Sequence, residues 1–123
     1  MNEMTILLVE DEDAVRAIAR RVLQRAGFEI LEASTPDDAL HIAEQHANVI
    51  SLVVSDLVMP GMTGTELGVA VRRLRPDVPI LYMSGYARED VAESVGALSA
   101  ASFVSKPFTP GSLIEAVRVA LEA

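Results

Sequence analysis

Five short apolar runs, each followed by a stretch with helical spacing, leave this chain few folds to choose from. Met4–Val9, Phe28–Glu32, Val49–Ser55, Ile80–Ser84 and Ser102–Ser105 are too short for helices and rich in β-formers, so each reads as a strand. In Asp13–Ala26, Val15, Ile18, Ala19, Val22 and Leu23 recur at helical spacing, and Gly27 follows as the residue just past the C-cap. Thr35-Pro36-Asp37-Asp38 opens a second helix running to about His46: Thr35 caps it, Pro36 takes the first helical position, and the carboxylates sit at its positive end. A third helix spans Thr65–Leu74 with Leu67, Ala70, Val71 and Leu74 on one stripe, and Pro76 and Pro79 bound its exit. Glu89–Leu98 gives a weaker helical pattern, and Thr109-Pro110 repeats the capping device before a last helix with Leu113, Val117, Ala120 and Leu121 inward. The alternation implies βαβ units, right-handed crossovers and one five-stranded parallel sheet covered by helices on both faces, an α/β fold. Composition agrees: half the residues are hydrophobic but only 4% aromatic, which suits strands buried on both sides.

A chain of 123 residues fits a single domain over residues 1–123, with no output domain expected, and buries roughly 65% of its unfolded surface without help from a metal or disulfide. There is no cysteine, which rules out a disulfide framework, a Cys-based zinc site and a thiol nucleophile. The first apolar run is followed at once by four acids, so no signal peptide is read there, no membrane span follows, and a cytoplasmic location is expected. A net charge of −8 repels nucleic acid phosphates and favours cations or a partner with a basic face, so direct nucleic acid binding is not expected.

Ligands of an open parallel α/β sheet bind beyond the carboxyl ends of its strands. Here the first strand ends in Glu10-Asp11-Glu12-Asp13, the third in Asp56, the fourth in Ser84 and the fifth in Lys106-Pro107. Carboxylates crowded in a crevice either shift their pKa values or hold a cation. With oxygen ligands only, and with His41 and His46 away on the second helix, that cation should be hard, and magnesium fits it best. Glu12 and Asp13 are expected to point outward and cap the first helix. A lone Asp at a strand end usually caps a turn, but Asp56 stands opposite Glu10 and Asp11, where capping is a poor account. Such a carboxylate can be both metal ligand and oxygen nucleophile, forming an acyl phosphate by in-line displacement. Lys106 would add positive charge on the phosphoryl oxygens as a flexible point charge. Ser84 would bring a hydroxyl to one of those oxygens and draw the following loop with it.

VEDE after the first strand, DLVMPGMTG around Asp56, SGY ending the fourth strand and KPF after the fifth resemble the receiver domains of two-component response regulators, over the whole chain and in matching order. The resemblance implies the chemotaxis-regulator-like, flavodoxin-like (βα)5 fold with strand order 2-1-3-4-5. It implies that Asp56 is the phosphoacceptor, that Asp11 ligates Mg2+ directly with Glu10 acting mainly through water, and that Val58 gives its backbone carbonyl to the metal, with Mn2+ as a substitute. Ser84 is then the switch hydroxyl, Phe103 the switch aromatic and Lys106 the phosphate-pairing lysine, with a cis bond often found between Lys106 and Pro107. The implied partners are a sensor histidine kinase or histidine phosphotransfer protein and an unspecified downstream protein reading the face of the fourth helix, fifth strand and fifth helix. The domain would act as a monomer or as a dimer formed on phosphorylation, a self-phosphorylating switch and not a turnover enzyme. Glu10 stands where many members have Asp, and Phe103 where many have Tyr, so no phenolic hydrogen bond holds its inward state. Val58 and Tyr86 replace polar groups that would place a hydrolytic water, which implies a long-lived acyl phosphate.

Two rivals fall short. A dehalogenase-type phosphohydrolase would want an acid two residues after Asp56, where Val58 stands, and a cap insertion that no loop is long enough to supply. A phosphate-independent interaction module would be expected to lack Asp56, Lys106 or the acidic pair, and all are present.

Overall fold

Strands buried on both faces need mostly apolar side chains, and the inner strands of this protein have them. The computed structural model of the protein describes residues 4–84 and 102–122. In chain order the elements are β1 (Thr5–Val9), α1 (Asp13–Arg25), β2 (Glu29–Ala33), α2 (Pro36–His46), β3 (Ile50–Asp56), α3 (Gly64–Leu74), β4 (Ile80–Ser84), β5 (Ser102–Ser105) and α4 (Pro110–Glu122). The strands form one parallel sheet in the order β2-β1-β3-β4-β5, as the family resemblance implied. The helix read over Glu89–Leu98, and Tyr86, lie outside the described residues.

Because successive strand side chains point to opposite faces, each strand feeds two cores. Leu7, Val9, Val53, Ile80 and Tyr82 meet Ala39 and Ala43 of α2 and Leu67 and Val71 of α3. Ile6, Leu8, Leu52, Val54, Leu81 and Met83 meet Ala19 and Leu23 of α1 and Leu113, Val117 and Ala120 of α4. Ile18 departs from its expected place: it is 55% exposed, because the apolar stripe of α1 is wider than the face the sheet covers. Leu74, at the end of the α3 stripe, is likewise exposed.

The helix starts follow cap chemistry. Thr35 Oγ1 accepts from Asp38 N at 3.1 Å and Thr109 Oγ1 from Ser112 N at 3.0 Å, each with proline at the first helical position. Thr63 and Glu66 form a reciprocal capping box, so α3 begins at Gly64, one residue before the expected Thr65. Glu12 holds the N-cap position of α1, but its side chain makes no cap bond; Asp13 pairs with Arg16 at 2.7 Å. Gly27 follows α1 at φ +100°, a conformation that suits glycine past a C-cap.

Tyr82 of β4 is buried, burial pushes its phenol pKa up, and its hydroxyl has no hydrogen-bond partner among the described residues. That oxygen fills the space beside Gly68 of α3: a Cβ there would stand 2.5 Å from it and 3.0 Å from Ile80 Cδ1. Gly68→Ala should therefore destabilise by about 1–2 kcal/mol, although alanine in a helix is worth about 1 kcal/mol over glycine. Tyr82→Phe removes an unsatisfied buried hydroxyl and should be close to neutral. Urea unfolding of the double variant should show stability restored to or above that of the unaltered protein; simple addition of the two single effects would rule out this steric account.

Candidate functional site

At the carboxyl edge of the sheet, β1, β3 and β5 deliver their terminal residues to one crevice. Glu10, Asp11 and Asp56 each place a carboxylate oxygen within 4.8 Å of the others. Lys106 reaches in from the end of β5, with Nζ 2.6 Å from Glu10 Oε1 and 3.3 Å from Asp56 Oδ2. Glu10 is fully buried, Asp56 nearly so, and Asp11 half-buried. Three carboxylates around one ammonium leave a formal excess of two negative charges, which a hard divalent cation would balance with oxygen ligands throughout.

Burial pushes the Glu10 carboxyl up, and the charge of Asp56 adds to this; the Lys106 ammonium and the Glu12 N–H, bonded to Glu10 Oε2 at 3.0 Å, pull against it and only partly offset it. Burial works against the Lys106 charge, but the hydrogen bond it donates to Glu10 and the negative charges of Asp56 and Glu10 outweigh it and hold the ammonium above its usual range. Lys106 is therefore a fixed cation in this crevice.

The frame around Asp56 is tight. Its carbonyl accepts from Ser55 Oγ at 2.9 Å, the next amide, Leu57 N, donates to Met83 O at 3.0 Å, and Leu57 O accepts from Gly64 N at 2.8 Å. The Val58 amide lies 3.5 Å from Asp56 Oδ1, and the Val58 side chain is exposed. Ser84, buried at the end of β4, accepts at its carbonyl from Lys106 N at 2.8 Å, which ties the ends of β4 and β5 together. The Lys106–Pro107 bond is cis. Phe103 lies half-buried beside its register partner Tyr82, ring centroids 5.8 Å apart. His41 and His46 are exposed on α2, away from the acids.

The structure thus gathers Glu10, Asp11, Asp56 and Lys106 at one point, with Ser84 and Val58 on adjoining backbone and Phe103 one layer behind. Two neighbours were not picked out by the sequence reading: Gly64, packed on the Asp56 carbonyl, and Arg16, whose Nη1 donates to the Glu10 carbonyl at 2.9 Å. The close packing at Gly64 has no local sequence signature, and neither does a side chain bonding a carbonyl six residues back.

No helix among the described residues is long and apolar enough to cross a membrane. The sequence matches the family model of the response regulator receiver domain over residues 6–118. It is 41% identical over 118 residues to the sensor kinase CckA of Brucella abortus, covering 96% of this chain and 12% of that protein. It is 32% identical to the transcriptional regulatory protein YvrH of Bacillus subtilis, covering 99% of this chain and 51% of that one. The chain therefore spans about half or less of the length of these relatives. Among solved structures, the receiver domain of the hybrid histidine kinase CckA superposes with a TM-score of 0.81 at 38% identity, covering 95% of this chain and 98% of that one. The chemotaxis protein CheY4 of Vibrio cholerae does so with a TM-score of 0.88 at 29% identity, covering 98% and 100%. With its 2-1-3-4-5 sheet and its acidic crevice at the carboxyl edge, the chain belongs to the receiver domains of two-component response regulators, which are signalling switches.

Proposed function

We propose that Asp56 accepts a phosphoryl group from a phosphohistidine donor, on a sensor histidine kinase or a histidine phosphotransfer protein, and that this drives a switch. The observation that carries the proposal is the charge arrangement: Asp56 sits in a crevice with Glu10 and Asp11, with Lys106 already bridging Glu10 and Asp56. An Asp56 carboxylate oxygen attacks phosphorus, forming the O–P bond of an acyl phosphate. The N–P bond of the donor breaks, and its electron pair returns to the imidazole nitrogen. Asp11, Asp56 and the Val58 carbonyl, with Glu10 acting through water, would hold Mg2+, for which Mn2+ substitutes; when bound, the cation offsets charge developing on the phosphoryl oxygens. Lys106 exchanges its Asp56 contact for a phosphoryl oxygen and supplies the second positive charge.

The Ser84 hydroxyl follows the phosphoryl group. Since the Ser84 carbonyl holds the Lys106 amide, a shift at the end of β4 carries β5 with it, and with β5 Phe103 and its packing on Tyr82. The readout surface on this view includes β5 and α4, where an unspecified protein target docks; segment 89–98, read as its third part, lies outside the described residues. A cytoplasmic location fits a domain that meets phosphohistidine donors.

The test uses acetyl phosphate as a small donor, with and without Mg2+, read by intact mass. A single phosphoryl adduct should form only with Mg2+, and Asp56→Asn should abolish it. A folded protein that takes no adduct would instead favour the phosphate-independent interaction module.

A further inference from the structure

We infer that Arg16 is a positioning residue for the cation-binding acids, an inference that rests on the metal-dependent reading above. Successive side chains of an extended chain point to opposite sides. Glu10 and Asp11 are consecutive, yet both bring an oxygen into the same crevice with Asp56. The backbone must therefore leave the strand path between them, and something must hold the break.

Glu10 N still continues the sheet ladder, donating to Ala33 O at 3.1 Å. Past that point two other bonds take over. Glu12 N donates to Glu10 Oε2 at 3.0 Å, and Arg16 Nη1 donates to the Glu10 carbonyl at 2.9 Å. The same guanidinium donates through Nη2 to Asp13 Oδ1 at 2.7 Å, and its Nε lies 3.4 Å from Glu32 Oε1, while Arg20 holds the other oxygen of Glu32 at 3.0 Å. One planar fork thus ties the end of β1, the first turn of α1 and the end of β2 while only 18% of its side chain is exposed. The donors of arginine sit on three separate nitrogens and reach three separated partners at once, which the single nitrogen of lysine cannot do.

A positioning role and a purely electrostatic one predict opposite signs. By charge alone, a cation beside an acidic crevice repels a divalent ion, so its loss should tighten metal binding. If Arg16 holds the Glu10 carbonyl in place, its loss should weaken metal binding, as losing the groups that orient metal ligands does, by about tenfold.

Mn2+ binding to the folded protein, read from the electron paramagnetic resonance signal of the free ion, decides between them. Arg16→Met removes the charge but keeps the apolar stem, Arg16→Lys keeps the charge but loses the fork, and Glu32→Gln removes the negative charge beside Nε without touching the Glu10 carbonyl. Both Arg16 variants should bind Mn2+ about tenfold more weakly, and Glu32→Gln should bind it like the unaltered protein. Unchanged or tighter binding in the Arg16 variants overturns the inference, as does equal weakening in Glu32→Gln. Circular dichroism establishes folding, and Arg16→Lys alone decides should Arg16→Met not fold. Failure of the unaltered protein to bind Mn2+ would refute the metal-dependent reading itself; binding there without loss in the variants refutes only the role of Arg16.

Discussion

Lys106→Met should slow phosphorylation of Asp56 by acetyl phosphate by on the order of 10²-fold while making the protein bind Mg2+ more tightly. The two effects have opposite signs because the ammonium plays opposite parts. Before reaction it sits 2.6 Å from Glu10 and 3.3 Å from Asp56, neutralising charge that a metal would otherwise meet. Removing it gives the divalent cation a more negative crevice. In the proposed reaction the same ammonium would face the phosphoryl oxygens, and deleting one fixed positive partner of a developing oxyanion typically costs roughly 10²–10³ in rate. Stability adds a third readout. Glu10 is fully buried, and leaving a buried carboxylate without its partner costs about 3 kcal/mol. Without Mg2+ the variant should unfold at lower urea than the unaltered protein, and added Mg2+ should recover most of the difference. Initial rates by mass, Mg2+ titration and urea unfolding check the three parts. A variant that binds Mg2+ no better would refute the competition between Lys106 and the metal, and one phosphorylated at the ordinary rate would refute its part in the reaction.

Much of this site was legible in the sequence because of how parallel sheets bury their strands. Strands covered on both faces must be apolar throughout, so the first charged residue after each run marks where the chain leaves the sheet. Glu10, Asp56 and Lys106 were legible for that reason, each the first charged residue after its apolar run; that these ends share an edge follows from the parallel topology. What the sequence withheld depends on contacts across the chain. That Glu12 and Asp13 turn outward was expected, but not the backbone break, held from α1 by Arg16, that lets Glu10 and Asp11 both turn inward, because no spacing rule announces a side chain bonding a carbonyl. Ile18 shows the limit of periodicity: it obeys the helical repeat of α1, but whether the sheet reaches it depends on how the helix sits. The α3 start was readable in principle. Thr63 and Glu66 stand three apart as a capping box requires, and the later boundary came from following the apolar stripe instead of the cap.

Gly64→Ala should be among the most damaging single-methyl changes this protein can suffer, and should impair both folding and the acceptor. A Cβ on Gly64 would lie 2.3 Å from the Asp56 carbonyl oxygen and 2.9 Å from Leu57 Cα. Both obstacles are backbone, and both are tied down. The Asp56 carbonyl already accepts from Ser55 Oγ, Leu57 N is bonded to Met83 O, and Leu57 O receives the amide of Gly64 itself. At Gly68 the nearest obstacle is a tyrosine hydroxyl that a second substitution can delete; at Gly64 no side-chain change removes the clash. Either α3 moves away from the sheet or the end of β3 bends, at a cost of about 3 kcal/mol, the upper end of ordinary overpacking. The second outcome would tilt Asp56 out of line with Glu10, Asp11 and Lys106. Urea unfolding should therefore show a loss larger than that of Gly68→Ala, and the fraction that stays folded should take phosphate from acetyl phosphate more slowly. A folded Gly64→Ala protein phosphorylated at the ordinary rate would mean that α3 yields and the strand does not, and that the position of Asp56 is set by β1 and β4 alone.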